Sequence, residues 1–271
     1  MVFVVRGAGT SEKMKECHIV RKGDDTRLSI WFERAHVSRG EDVTTHRFVS
    51  YDLRTGKELG DVTTLKNAFY NYFVWFGPFG TEVWIYSIDE GLALVDLYEP
   101  AFRIQMKAIV KKYPELEDCR LAKIDDEYHL NDETAEIALV SNIGEIVHLS
   151  PSLKLRRQRD LTAPPALKHV PNGTGRLLWK WDSAFSNGSR WTALSENATD
   201  GRNCEYAYID SKHRELSRTN VCERFGRQVS PYGAAEVDGE IYLFVTDHSD
   251  TLSAAVIDAK SGVFMRAVDY F

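Results

Sequence analysis

Between residues 82 and 100 the chain reads EVWIYSIDEGLALVDLYEP. Two runs of consecutive apolar residues, Val83-Trp84-Ile85-Tyr86 and Leu92-Ala93-Leu94-Val95, are joined by Asp89, Glu90 and Gly91 and closed by Asp96. Apolar runs this short, bounded by turn residues, predict strands buried on both faces, with the polar residues forming the turn between them. The same order recurs. RLSIWFERAHVSRGEDVTTHRFVSYDLRTGKELGDV, residues 27–62, places a Trp-bearing strand, a polar loop and a second strand before Asp52, Thr55 and Gly56. EIYLFVTDHSDTLSAAVIDAKSGVFMRAV ends its second strand at Asp258, followed by Ser261 and Gly262. A longer version from Arg176 ends at Asp210, and the shorter EIALVSNIGEIVHLSPSLKL carries Ser150 at the matching position.

The five anchors, 52, 96, 150, 210 and 258, lie 44, 54, 60 and 48 residues apart. A strand-built period of that size predicts an all-β fold, a β-propeller of about five to six four-stranded blades. The expected organisation is a single propeller domain over residues 1–271, with the segments before Arg27 and around 107–136 as places for a sixth blade. An aspartate at a strand end followed by Thr or Ser and then Gly needs no ligand to explain it. The carboxylate accepts backbone N–H groups across the turn and the glycine takes a positive φ. One stretch interrupts the strands: in AFRIQMKAIVKKYPELED, Phe102, Ile104 and Met106 alternate like a strand, whereas Met106, Ile109, Val110 and Tyr113 share a helical face that Pro114 ends. A short helix or loop insertion is expected near 104–118.

The stretches YDLRTGKEL and VIDAKSGVF resemble the repeats of quinoprotein-type and related β-propellers, in which a strand ends in Asp and Thr/Ser-Gly follows. The resemblance spans residues 27–268 and implies the fold. It does not imply quinone-dependent catalysis, because Gly60 and Arg266 stand where that family's repeats carry a tryptophan.

Composition narrows the partners. With 43% hydrophobic and 27% charged residues the chain is a folded protein, and no apolar stretch approaches the roughly 20 residues of a membrane helix. A net charge of -6 opposes nucleic-acid binding, which needs concentrated Lys and Arg. The exception, Lys154-Leu155-Arg156-Arg157-Gln158-Arg159, reads as the solvated face of a strand. The opening MVFVVRGAGT lacks the basic segment and the longer apolar run of a secretory leader, and Glu12 occupies the third glycine position of a dinucleotide-binding turn. The expected location is cytoplasmic, with a periplasmic or secreted location as the alternative. Cys17, Cys119, Cys204 and Cys222 have no metal-site spacing; free thiols are expected, although Cys204 and Cys222 flank a hairpin and could cross-link in an oxidising compartment. Asn172, Asn187 and Asn197 head acceptor-like tripeptides and otherwise read as turn residues.

Catalytic motifs are absent: there is no nucleophile elbow, no His-Glu-x-x-His, no phosphate loop and no calcium loop. The eight histidines are scattered, KIDDEYHLNDE reads as a solvated acidic loop, and TDHSD reads as a hairpin loop rather than a triad. The primary reading is a non-enzymatic, monomeric protein-protein interaction module without a cofactor, an acidic inhibitor or immunity protein binding another, basic protein. Its expected contacts are the aromatic residues Tyr72, Trp75 and Phe76 and the acidic residues Asp125, Asp126 and Glu127. Two alternatives stay open: a propeller-type hydrolase or lyase with a site in the central channel, and a lectin using Trp179, Trp181 or Trp191.

Overall fold

The computed structural model describes residues 12–38, 41–68, 73–124, 127–131, 134–158, 168–169, 185, 187–194, 205–249 and 251–271. Its strands form five antiparallel sheets, so the all-β class expected from the repeats is what they show. The first sheet is a meander of β1 (Glu12–Lys22), β2 (Asp25–Ser38), β3 (Glu41–Asp52) and β4 (Glu58–Ala68). The second repeats the order with β5 (Phe73–Phe79), β6 (Glu82–Ser87), β7 (Gly91–Asp96) and β8 (Ala101–Gln105), followed by helix α1 (Met106–Lys112) and a 3-10 turn at Pro114–Leu116.

The third sheet has seven short strands: β9 (Arg120–Leu121), β10 (Lys123–Ile124), β11 (Glu127–Asn131), β12 (Glu136–Val140), β13 (Ile146–Leu149), β14 (Leu155–Arg157) and β15 (Lys168–His169). The fourth comprises β16 (Arg190–Ala193), β17 (Glu205–Ile209) and β18 (Glu215–Asn220), after which comes α2 (Val221–Phe225). The last is again a four-strand meander, β19 (Ser230–Val237), β20 (Glu240–Thr246), β21 (Leu252–Asp258) and β22 (Phe264–Asp269). Among the described residues there is no sixth sheet: the segment before Arg27 supplies β1, and residues 107–136 supply α1 and the opening strands of the third sheet. By contacts the chain divides into two compact units, Met1–Ser50 with Leu59–Gly175, and Tyr51–Glu58 with Arg176–Phe271.

In the first unit, β6 and β7 are buried on both faces, as their unbroken apolar runs require. Trp84, Leu92 and Leu94 face a core with Ile109, Leu116, Leu139 and Leu149, whereas Val83, Ile85, Ala93 and Val95 face Val20, Trp31 and Phe48 of the first sheet. Trp84 Nε1 also donates to the Ala135 carbonyl at 2.8 Å, tying the second sheet to the third. Helix α1 lies where the Met106-Ile109-Val110-Tyr113 face predicts it, with Ile109 fully buried. The strand before it corrects the simple alternation. Pairing runs Leu94 to Ile104 and then Val95 to Phe102, leaving Arg103 as an extra residue in a β-bulge. The bulge turns the pleat, so Phe102 and Ile104 bury against different cores.

The recurring anchors behave alike. Asp52 Oδ1 accepts the backbone N–H groups of Arg54 and Thr55 at 3.1 and 2.7 Å; Asp96 Oδ1 accepts those of Tyr98 and Glu99 at 2.8 and 3.1 Å. Asp210 takes Lys212 and Arg214 at 2.9 and 2.8 Å, Asp258 takes Lys260 and Ser261 at 3.1 and 2.8 Å, and Ser150 Oγ takes Lys154 at 3.0 Å. The capped turns also dock on neighbouring segments. Within the first unit, the Tyr98 hydroxyl donates to Asp25 and the Tyr98 carbonyl accepts from Arg27, whose guanidinium lies 3.7 Å from the Tyr98 ring centre. Leu153 O accepts from Lys112 Nζ and the Tyr113 hydroxyl at 2.7 and 2.9 Å. Within the second, Ala259 O accepts from Tyr208 and Asn187, Ser217 donates to Gly262 O, and the Tyr270 hydroxyl donates to Leu53 O in the β3–β4 turn.

Candidate functional site

The predicted contact residues fall largely beyond what is described. Tyr72, Asp125 and Asp126 lie outside the described residues. Trp75 and Phe76 sit on β5 opposite Ile85 and Trp84, and Glu127 opens β11 opposite Ile124; their side chains are likewise outside the described set. Of the aromatic cluster, Phe79 packs against the core around Trp84. Of the lectin candidates, Trp179 and Trp181 lie outside the described residues, and Trp191 is corrected: it is buried, 5.5 Å from the Tyr208 ring, and offers no stacking surface to a sugar.

The charged stretches resolve into structure. In the basic run, Arg156 pairs with the buried Glu136, and Arg157 bridges Glu115 and Glu145, so β14 is an ion-paired strand rather than a free cationic patch. Arg159 lies outside the described residues. In TDHSD, Asp247 Oδ1 accepts the N–H groups of Ser249 and Thr251 at 2.8 and 3.1 Å, while its other oxygen lies 3.4 Å from Arg227. That carboxylate builds a turn, as expected. Asn187 is also a turn residue: its carbonyl oxygen accepts from Ser189 N, and its amide donates to Ala259 O.

Among the described residues no group of three His, Cys, Asp or Glu side chains could hold a metal ion. His129 and His169 do stand opposite one another on β11 and β15, a pairing no local spacing discloses. Cys17 and Cys119 form no disulfide, and burial pushes the Cys119 thiol up to about 11. Cys222 is disulfide-bonded, which corrects the expectation of free thiols throughout, and Cys204 lies outside the described residues. The β17–β18 hairpin that separates the two in sequence is formed.

Two surfaces of the first unit combine exposure with built geometry. One is the β6–β7 and β12–β13 turns, equivalent positions in consecutive sheets. Ile88 and Ile143 stand 56% and 70% exposed at their tips. Each tip is held by a serine: Ser87 Oγ accepts Asp89 N at 3.3 Å, and Ser141 Oγ accepts Glu145 N at 3.1 Å. The connection after β8 runs beside both turns. A Cβ on Gly91 would lie 2.8 Å from Met106, and Asn142 N donates to Glu115 O at 3.0 Å. Exposed carboxylates of Asp89, Glu90, Glu117 and Asp118 belong to the same segments.

The other surface is a groove of about 370 Å³ beside the bulged strand β8. It is lined by Glu82, Phe102, Arg103 and Ile104 of the second sheet and by Pro151, Ser152 and Leu153 of the turn before β14. Arg103 Nε lies 3.5 Å from Glu82 Oε1 and is 61% exposed, against 27% for the glutamate. Glu82 is the direct cross-strand partner of Asp96, so two carboxylates face each other on adjoining strands. Burial raises the Glu82 carboxyl above the usual carboxylate range; Arg103 works against that shift and Asp96 adds to it.

No protein-family model and no curated protein sequence matches the chain. Among solved structures, it is similar to an uncharacterised protein from Listeria monocytogenes at 10% identity and a TM-score of 0.26, covering 95% of this chain and 67% of that one. It is also similar to the WD40 domain of SCAP from fission yeast at 12% identity and a TM-score of 0.23, covering 97% of this chain and 57% of the other.

Proposed function

We propose that the chain is a non-enzymatic protein-binding module whose partner is another protein carrying net positive charge. The observation that carries this reading is the pair of isoleucines, Ile88 and Ile143, displayed at the same turn of two consecutive sheets. Single exposed apolar residues are common on any surface. Two at equivalent positions, on serine-held tips with carboxylates beside them, supply the apolar anchors and polar surroundings that an interface uses. The net charge of -6 favours a basic partner through steering and register. In its finer form the reading is an acidic inhibitor that neutralises a basic toxin, and charge is its support.

The test uses the full chain and a double variant, Ile88→Ser with Ile143→Ser. Proteins retained from the native source on the immobilised wild type are purified, and their affinity is measured against both forms. Buried anchors of this kind contribute more than about 1 kcal/mol each, so the double variant is expected to bind at least about tenfold more weakly with unchanged thermal stability. Equal affinities for wild type and variant would overturn the assignment of the surface.

A further inference from the structure

Cys222 lies in the first turn of α2, directly after the β17–β18 hairpin, and is disulfide-bonded. The chain has four cysteines, and Cys17 and Cys119 form no disulfide, so counting leaves Cys204 as the mate. The hairpin between the two is paired to its open end. Glu205, next to Cys204 in sequence, stands opposite Asn220, two positions before Cys222. That end is also a junction. Asn220 Oδ1 accepts Glu223 N at 3.2 Å and starts α2, Val221 is buried in the core with Trp191 and Tyr208, and the Cys222 carbonyl accepts the Arg227 N–H at 3.3 Å. Arg227 then reaches Ser253, Asp247 and Asp269 of the last sheet. From the hairpin itself, Tyr208 and Ser217 hold the Ala259 and Gly262 carbonyls of the β21–β22 turn. A crosslink here restrains the segment that couples the fourth sheet to the last.

The two remaining thiols suit the same chemistry. Cys17 and Cys119 are 3% and 4% exposed, and burial raises the Cys119 thiol, so neither offers an accessible thiolate for mixed disulfides. We propose that the chain matures and acts in an oxidising compartment, where a Cys204–Cys222 disulfide fastens the open end of the β17–β18 hairpin. Disulfides persist in such compartments and are kept reduced in the cytosol, so this location replaces the cytoplasmic one expected from the sequence. The bond forms by thiol–disulfide exchange with glutathione disulfide or with a disulfide-bearing oxidoreductase. The two cysteine thiols give up two protons and two electrons as their S–S bond forms, and the donor's S–S bond is reduced to two thiols. The inference goes beyond the protein-binding reading and uses none of the residues of the Ile88–Ile143 surface.

The full chain is isolated from its native source with N-ethylmaleimide present from lysis onward, which caps free thiols and stops exchange, then unfolded and digested without reductant for mass spectrometry. The expected result is a Cys204 peptide joined to a Cys222 peptide, with maleimide on Cys17 and Cys119. Maleimide on all four cysteines, glutathione on Cys222, or Cys222 joined to Cys17 or Cys119 would each overturn the proposal. The fastening role is read from thermal melting of the oxidised chain, the Cys204→Ser, Cys222→Ser double variant and the wild type reduced with dithiothreitol, which supplies the comparison without any substitution. A crosslink over 18 positions is expected to raise the midpoint by about 5–10 °C over both, and to slow amide exchange at residues 206–208 and 216–219. Equal midpoints and exchange in the three samples would overturn the fastening role. Neither arm involves Ile88 or Ile143, so a failure here and a failure of the protein-binding surface are read separately.

Discussion

Gly262→Ala is expected to destabilise the second unit by about 2–5 kcal/mol, measured as a fall in the free energy of urea unfolding. Two effects add. Gly262 sits at φ +69°, where a side chain costs about 1–3 kcal/mol, and its added Cβ would lie 2.1 Å from Tyr208 Cδ1 and 2.7 Å from Ser217 Oγ. Tyr208 has no room to withdraw. Its ring is buried against Trp191 and Phe185, and its hydroxyl donates to Ala259 O at 2.8 Å and bonds to Ser189. Gly239→Ala separates the two effects, because it has a similar φ of +81° and nothing within 4 Å of the new Cβ. It is expected to cost only the backbone share, about 1 kcal/mol. Equal losses at the two positions would show that the turn does not pack on Tyr208.

Acidification from pH 7 to pH 5 is expected to lower stability through buried histidines before the depressed carboxylates titrate. Trp31 Nε1 donates to His46 Nδ1 at 3.1 Å, so His46 must present an unprotonated nitrogen there. Burial, with a contribution from the Lys15 charge, depresses His46 to about 3. Burial also lowers His148, which Arg156 reinforces and Glu136 opposes. A depressed histidine pKa means that the unfolded chain takes the proton first. Stability is therefore complete above about pH 6.5 and declines as pH falls towards the folded-state value.

For His46 the slope approaches about 1.4 kcal/mol per pH unit, or roughly 5 kcal/mol across the whole window. The depressed carboxylates, such as Asp25, held down chiefly by the Tyr98 hydroxyl, and Asp258, held down chiefly by the Ser261 amide, lose their contribution only below about pH 4. His46→Gln retains an acceptor for Trp31 but cannot titrate, so its unfolding free energy should vary less between pH 7 and pH 5 than that of the wild type. An identical pH profile would remove His46 from the account.

What could be read from the chain was local. The unbroken apolar runs of residues 83–86 and 92–95 announce strands buried on both faces, Pro114 ends α1, and the anchors at 52, 96, 150, 210 and 258 cap their own turns through hydrogen bonds spanning two to four residues. A glycine after each Asp-x-x-Thr/Ser discloses its positive φ in the same way. It does not disclose that Gly262 abuts Tyr208, or that Gly56 would set a Cβ 2.0 Å from Asp269 O. Those contacts join residues 54 and 213 positions apart.

Pairing partners were hidden for the same reason. Arg157 looks cationic in sequence, and Glu115, 42 residues away, neutralises it. The bulge at Arg103 breaks the period-two rule from which Phe102 and Ile104 would be placed on one face, and the groove beside it is assembled from residues around 82, 103 and 152. The isoleucines at 88 and 143 lie within recognisable turns, but their exposure depends on how the rest of the chain packs. The aromatic and acidic stretches that drew attention instead, around Tyr72 and Asp125, were chosen for composition, and composition does not fix position.

The claim on which the rest depends is that the turn after each anchor, at 52, 96, 150, 210 and 258, is locked by the anchor residue itself. Amide hydrogen exchange at Thr55, Tyr98 and Ser261 tests it most directly, since each N–H donates to the anchor carboxylate at 2.7–2.8 Å. The account predicts that these three turn amides exchange far more slowly than an unstructured peptide, and that Asp258→Ala accelerates Ser261 while leaving Tyr98 unchanged. Exchange of all three at unstructured rates in the wild-type chain would contradict it.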